Sequence, residues 1–131
     1  MTLHRLSTTG LLFSILSIIA GAVVRATGSG DGCGSSWPSC NGQIIPSLNS
    51  TSEQIEFSHR AISGILLIIT LVIFLKSFSQ EVTTTQKKVI NYLTFFVIFE
   101  AIIGAVIVLY EWVGMNSTPP RVAAVPLHLV N

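Results

Sequence analysis

Two histidines and a carboxylate interrupt otherwise apolar stretches of this chain. Glu56, His59 and Arg60 occur at spacings of three and four residues, so on a helix they share one face. His128 lies in a second apolar stretch. Imidazole can ligate a metal and glutamate can transfer a proton. The alternative is that these are interfacial polar residues, with Arg60 reaching lipid headgroups.

The two cysteines form a second candidate centre. Cys33 and Cys40 are the only cysteines in the chain and bracket a short loop rich in glycine. A structural disulfide is the leading interpretation. A redox-active thiol pair that exchanges electrons with a partner is the alternative, although the spacing is wider than the C-x-x-C of thioredoxin-like proteins.

Glu100 is the other unusual residue, because it lies inside the apolar run 95–103. A carboxylate there must be protonated, hydrogen-bonded or paired, since an isolated charge in hydrocarbon costs several kcal/mol. Two roles are open for Glu100: a polar contact that joins two helices, or the handling of protons.

Composition predicts that lipid, rather than water, surrounds most of the chain. Of its 131 residues, 50% are hydrophobic and only 10% are charged, and the mean hydropathy is +0.69. Soluble domains of this length carry far more charge. The formal net charge is +1 and the basic residues form no extended stripe, which argues against a nucleic-acid partner.

The apolar runs predict an all-α integral membrane protein. Each run approaches the about 20 residues that a membrane-spanning helix needs, and none alternates as barrel strands do. We expect an antiparallel four-helix bundle in which the fourth helix is truncated. The predicted helices are residues 6–24, 56–76 and 89–110 and a fourth that starts at Pro126, and the outer loop is 25–55.

The lysines predict the orientation. Lys76, Lys87 and Lys88 lie between the second and third segments, whereas the loop with the cysteines holds no lysine. By the positive-inside rule, the N-terminus is cytoplasmic and the cysteine loop lies outside a cytoplasmic membrane that the chain crosses several times. The first segment could instead be a signal peptide, but Arg25 directly follows it without a convincing cleavage site.

This topology brings His59 and His128 to one depth. The second and fourth helices are parallel, and each carries its histidine within about two turns of the outer end. Facing helices with histidines at one level can hold haem iron from both sides. Haem is therefore the predicted ligand, and an interfacial position remains the alternative for His128.

A weak internal repeat supports this pairing. Residues 18–24 near the end of the first helix are similar to residues 102–108 near the end of the third, and both contain Gly-Ala-Val. Each precedes an outer loop and a helix that bears a histidine. The likeness suggests two helical hairpins related by a pseudo-twofold axis along the membrane normal.

Several linked motifs resemble one family. Residues 21–30, the loop from Cys33 to Cys40 with Trp37 and Pro38, and residues 41–46 and 55–60 resemble the N-terminal half of haem A synthase, in the bacterial type with a cysteine pair. The resemblance implies an eight-helix membrane enzyme of two similar halves, which oxidises a methyl group of haem O to the formyl group of haem A.

The resemblance also implies roles for the polar residues of the second and fourth helices. His59 and His128 would be the axial ligands of the substrate haem O, while a haem b is expected in the missing half. Glu56 would have a catalytic or proton-handling role.

Further roles follow for the outer loop and the arginines. Cys33 and Cys40 would form the disulfide that stabilises the cover of the pocket. Arg25 and Arg60 would meet the haem propionates, a charge-assisted contact that suits arginine.

The expected partners are haem O, membrane lipid, and a second half or second chain, because this chain would not complete the reaction alone. Haem O synthase and an electron donor are further expected partners. Two other functions remain open: a cytochrome b-type electron carrier with the same two histidines, and a membrane thiol-disulfide oxidoreductase that uses Cys33 and Cys40.

Overall fold

The computed structural model describes residues 2–113 and 118–130. Within these residues the chain is helical and forms no strand, which confirms the predicted all-α fold. Three helices are long and apolar enough to cross a membrane, as a multi-pass membrane protein requires. The elements are α1 (Leu3–Thr27), a short 3-10 turn (Ser29–Asp31), α2 (Thr51–Lys76), α3 (Thr84–Leu109) and α4 (Pro119–Val130).

The first three helices begin earlier than residues 6, 56 and 89, where the apolar runs placed them. Each starts at a hydroxyl side chain that accepts a backbone N–H of the first turn: Thr2, Ser50 and Thr83. Such N-caps satisfy donors that have no partner inside the helix, so polar first turns remain helical outside the apolar run. The outer loop predicted as 25–55 is correspondingly shorter and spans 28–50.

The predicted start of the fourth helix at Pro126 is wrong. The helix begins at Pro119, and Pro126 lies inside it. Proline is well tolerated in a first turn, and the amide of Val122 already donates to the carbonyl of Thr118 at 3.2 Å. The apolar residues Val122 to Val125 continue this helix, and Pro126 removes one hydrogen bond inside it.

The helices α1 and α2 pack antiparallel. Along α1, Gly10 lies beside Ile69 of α2, while Ser17 and Ser63 share a hydrogen bond of 2.7 Å between their hydroxyl oxygens. As the residue number increases along α1, the number of the contacting residue on α2 therefore decreases. Small residues and serine hydroxyls at this contact are typical of helices that associate in lipid.

The outer surface of the long helices is apolar. Large side chains such as Leu11, Ile18, Ile68 and Phe95 are exposed, whereas few side chains are buried between the helices. A lipid environment accounts for this distribution, because acyl chains accept apolar side chains that water would not.

Candidate haem-binding site and the loop beside it

Glu56 and Arg60 form an ion pair one turn apart near the start of α2. Nη2 of Arg60 donates to Oε1 of Glu56, and the two side chains are only 10% and 4% exposed. The sequence spacing places them on one face of the helix, as predicted. Because both groups are largely removed from solvent, each needs the other to compensate its lost hydration.

The same pair holds the outer loop. The backbone amide of Cys33 donates to Oε2 of Glu56 at 2.8 Å. Nη1 of Arg60 donates to the carbonyls of Ser36 and Ser39 at 2.6 and 2.8 Å. Both carboxylate oxygens are thus occupied, and α2 is joined to three points of the loop.

The loop itself is closed by a disulfide. Cys33 and Cys40 are bonded, with an S–S distance of 2.08 Å, which confirms the expected pairing. Both residues are almost completely buried. Gly32 lets the loop backbone lie against α2, since a Cβ at this position would be 2.6 Å from the carbonyl of Ser52. The loop is therefore packed directly on the first turn of the helix that carries His59.

Glu53 adds an anchor that the sequence analysis missed. Its Oε2 accepts the backbone amide of Ser47 at 2.9 Å, and its own amide donates to the hydroxyl of Ser50. The only sequence signal was a carboxylate three residues after a capping serine. Ser36 and Ser39 were missed too, because carbonyl acceptors depend on how the loop folds.

His59 lies against Gly21 of α1. A Cβ on Gly21 would be 3.2 Å from Cε1 of the imidazole, so this glycine leaves just the space that the ring occupies. The backbone of Ser17, one turn earlier on α1, interacts with the same ring. Among the described residues, no hydrogen-bond partner reaches the buried Nδ1 of His59.

His128 lies in the same way against Gly104 of α3. A Cβ on Gly104 would be 3.1 Å from Cε1 of this imidazole. One turn earlier on α3, Oε1 of Glu100 lies 2.7 Å from Nδ1 of His128. The structure thus brings together two predicted candidates that the sequence could not link.

The two imidazoles have equivalent places in their hairpins. Gly21 and Gly104 begin the two Gly-Ala-Val triplets of the repeat, and each faces one imidazole.

Arg25 stands apart from this group of contacts. It lies in the last turn of α1, where a cation is favourable, and its side chain is exposed. In the described part of the chain, no three His, Cys, Asp or Glu residues cluster as a metal site would require. Two imidazoles suffice as axial ligands of a haem, whose porphyrin supplies the other four nitrogens.

The match to a family model covers the first helix and the outer loop. Residues 4–54 match COX15-CtaA, described as a cytochrome oxidase assembly protein. The haem A synthases of Exiguobacterium sp. and Lysinibacillus sphaericus are 42% and 39% identical over 100 and 105 residues. The predicted assignment to the haem A synthase family is confirmed.

Coverage differs between this chain and its relatives. The two haem A synthases match 74% and 79% of this chain and 33% of their own lengths. Protoheme IX farnesyltransferase of Thermus thermophilus is 38% identical over 122 residues, which are 92% of this chain and 20% of that protein. The chain therefore spans between a fifth and a third of the length of these relatives. No solved structure matches it.

Proposed function

We propose that this chain supplies the haem O-binding half of a membrane oxidoreductase that converts a porphyrin methyl group of haem O to the formyl group of haem A. The observation that carries the proposal is the pair of imidazoles, each held against a glycine of the preceding helix. All three relatives described above are named for enzymes of haem chemistry, which supports a haem as the ligand.

The donor set fits a haem. His59 keeps a buried ring nitrogen without a hydrogen-bond partner in the described part of the chain, and Nδ1 rather than Nε2 of His128 makes the contact with Glu100. Gly21 and Gly104 let both rings lie directly against the neighbouring helices. Haem iron and its porphyrin supply the oxidative chemistry, and the protein supplies axial ligands, orientation and local charge.

Glu56 stays our candidate for proton handling. Its carboxylate lies one turn before His59, and the residue is only 3% exposed, so proton transfer to this group would be shielded from bulk water. Its contacts with Arg60 and with the amide of Cys33 also give it a positioning role, since they fix the disulfide loop beside the histidine.

Arg60 and Arg25 are proposed to meet the haem propionates. The two terminal nitrogens of Arg60 donate hydrogen bonds to the loop and to Glu56. Its buried Nε has no hydrogen-bond partner among the described residues and can donate to a carboxylate. Arg25 offers its whole exposed guanidinium.

The proposal includes a setting and partners. The N-terminus would be cytoplasmic and the disulfide loop would lie outside a cytoplasmic membrane. A second half or second chain would hold haem b. Haem O synthase would deliver the substrate, and an electron donor would supply electrons. The burial of both cysteines disfavours the thiol oxidoreductase, because exchange requires access to a sulfur.

The test is a haem O titration of the purified chain in lipid nanodiscs, followed by the Soret band. We expect wild-type protein to bind haem O, and His59→Ala and His128→Ala each to lose most of the affinity. His4→Ala is the matched control, because His4 lies exposed in the first turn of α1 and should bind as wild type does. Full affinity in both site variants would refute the ligand assignment.

Product analysis separates the enzyme from a cytochrome b-type carrier. The chain is co-expressed with the remaining part of a related haem A synthase, and extracted haems are separated by chromatography. Haem A that disappears in His59→Ala supports the enzyme. Bound haem that stays chemically unchanged supports the electron carrier.

A further inference from the structure

Glu100 is the polar residue of the α3–α4 contact that the proposed function does not yet use. It lies within an apolar membrane-spanning helix, where a carboxylate is costly unless it has a partner. Its Oε1 is 2.7 Å from Nδ1 of His128 on the neighbouring helix, a charge contact whose alignment is not that of a hydrogen bond. Both side chains are only partly exposed, at 33% and 27%.

Glu100 and Gly104 act on the same imidazole. They are four residues apart on α3 and therefore share the face that meets α4. Gly104 lies under Cε1, and its Cβ position would be 3.7 Å from Nε2 and 3.9 Å from Nδ1, so the part of the ring around Cε1 packs against α3. Glu100 then distinguishes the two nitrogens, because its carboxylate is next to Nδ1.

A carboxylate beside Nδ1 favours the tautomer that carries its proton there. The lone pair then remains on Nε2, which is the arrangement of metal-binding histidines whose other nitrogen donates to a carboxylate. Such a partner fixes the ring orientation and makes the ligand nitrogen a stronger donor.

The first hairpin has no carboxylate at the matching position. Counting back four residues from Gly21 gives Ser17, whereas the same step from Gly104 gives Glu100. The backbone of Ser17 interacts with His59, and its hydroxyl is bonded to Ser63. The two imidazoles thus have different supports in otherwise equivalent places.

We propose that Glu100 is a positioning residue that holds His128 as the Nδ1-protonated tautomer, so that Nε2 is the nitrogen offered to haem iron and His128 is the stronger donor of the pair. The inference rests on the proposed function for its use of haem. The tautomer itself is a property of the chain alone and can be measured without haem.

The first experiment is ¹⁵N NMR of the full chain in nanodiscs with labelled histidine, where His4→Ala, His59→Ala and His128→Ala assign the three rings. We expect a protonated Nδ1 on His128 in wild type and a loss of this preference in Glu100→Ala. Glu81→Ala is the matched control, since it removes a carboxylate from an exposed position between α2 and α3. A wild-type preference for a protonated Nε2, or no change in Glu100→Ala, would overturn the proposal.

The second experiment titrates the same variants with haem O and records the reduction potential. Loss of the carboxylate should weaken binding about 10- to 100-fold and raise the potential, while Glu100→Gln, which keeps an acceptor oxygen, should bind more tightly than Glu100→Ala. Circular dichroism checks that each variant is folded, and Glu100→Gln replaces an unfolded Glu100→Ala.

The two proposals fail in different ways. If His128→Ala binds haem O normally, the ligand assignment and therefore the proposed function are wrong. If His128→Ala loses haem O but Glu100→Ala keeps wild-type affinity, potential and tautomer, only the role of Glu100 is wrong.

Discussion

The two hairpins place a histidine in the same way but support it differently. In the first hairpin, α1 and α2, His59 lies on Gly21, and the helix is joined to a disulfide loop through Glu56 and Arg60. In the second, α3 and α4, His128 lies on Gly104 and beside the carboxylate of Glu100.

This comparison distinguishes the features that both hairpins share from the support that is specific to each hairpin. The glycine and the imidazole are common to both, so we assign the proposed haem binding to this pair of residues in each hairpin. The disulfide loop supports the first histidine from the N-terminal end of α2, whereas Glu100 supports the second from within the apolar helix. The comparison predicts that damage to one support leaves the other histidine in place.

The largest loss of stability should come from Arg60→Met, which removes part of the support of the first hairpin. The change leaves the buried Glu56 carboxylate without its cation, and the loss of one partner of a buried pair costs about 3–5 kcal/mol. Unfolding of the chain in increasing SDS measures the loss. Arg60→Met combined with Glu56→Gln should recover part of it, and a double variant as unstable as the single one would show that the pair matters only through the loop.

Removal of the disulfide should have the second largest effect on stability. For a loop of this length, Cys33→Ser with Cys40→Ser is expected to lower the free energy of unfolding by about 2–3 kcal/mol. Protease cleavage in residues 28–50 should increase, while haem O binding weakens through His59. If the Nδ1 tautomer of His128 changes as well, the two supports are not independent.

Gly21→Ala and Gly104→Ala test the contact between glycine and imidazole that both hairpins share. Each new methyl would lie about 3.1–3.2 Å from an imidazole carbon, and such overpacking costs about 1–3 kcal/mol. Both variants should weaken haem O binding to a similar extent. Gly64→Ala is the control, because a Cβ there meets nothing within 4 Å and alanine favours the helix. If only one of the two variants lost haem O affinity, the two glycines would not have equivalent roles.

The smallest effect is expected for the hydroxyl pair between α1 and α2. A double-mutant cycle of Ser17→Ala and Ser63→Ala should give a coupling of about 0.6 kcal/mol, as interhelical hydrogen bonds in membranes do. SDS unfolding of the four proteins measures it. A coupling above about 2 kcal/mol would show that this contact, rather than the loop, holds the first hairpin together.

Periodicity and apolar length were enough to predict the helices and their order. They predicted the starts poorly, because Thr2, Ser50 and Thr83 cap polar turns that carry no apolar signal. They also misplaced α4, since a proline was treated as a start although two earlier prolines form the first turn.

The candidate residues of the site were predictable by type, whereas their contacts were not. Regular spacing put Glu56 and Arg60 on one face of α2. Their hold on Cys33, Ser36 and Ser39 depends on the folded loop, and the Glu100–His128 contact depends on how α3 packs against α4. Tertiary packing sets both, and no local pattern encodes them.

The central claim is that His59 and His128 hold one haem iron between the two hairpins. Near-infrared magnetic circular dichroism of the ferric haem O complex identifies the axial ligands directly. The account predicts a bis-histidine signature in wild type that is lost in His59→Ala and in His128→Ala and kept in His4→Ala. A bis-histidine signature that survives in either site variant would contradict it.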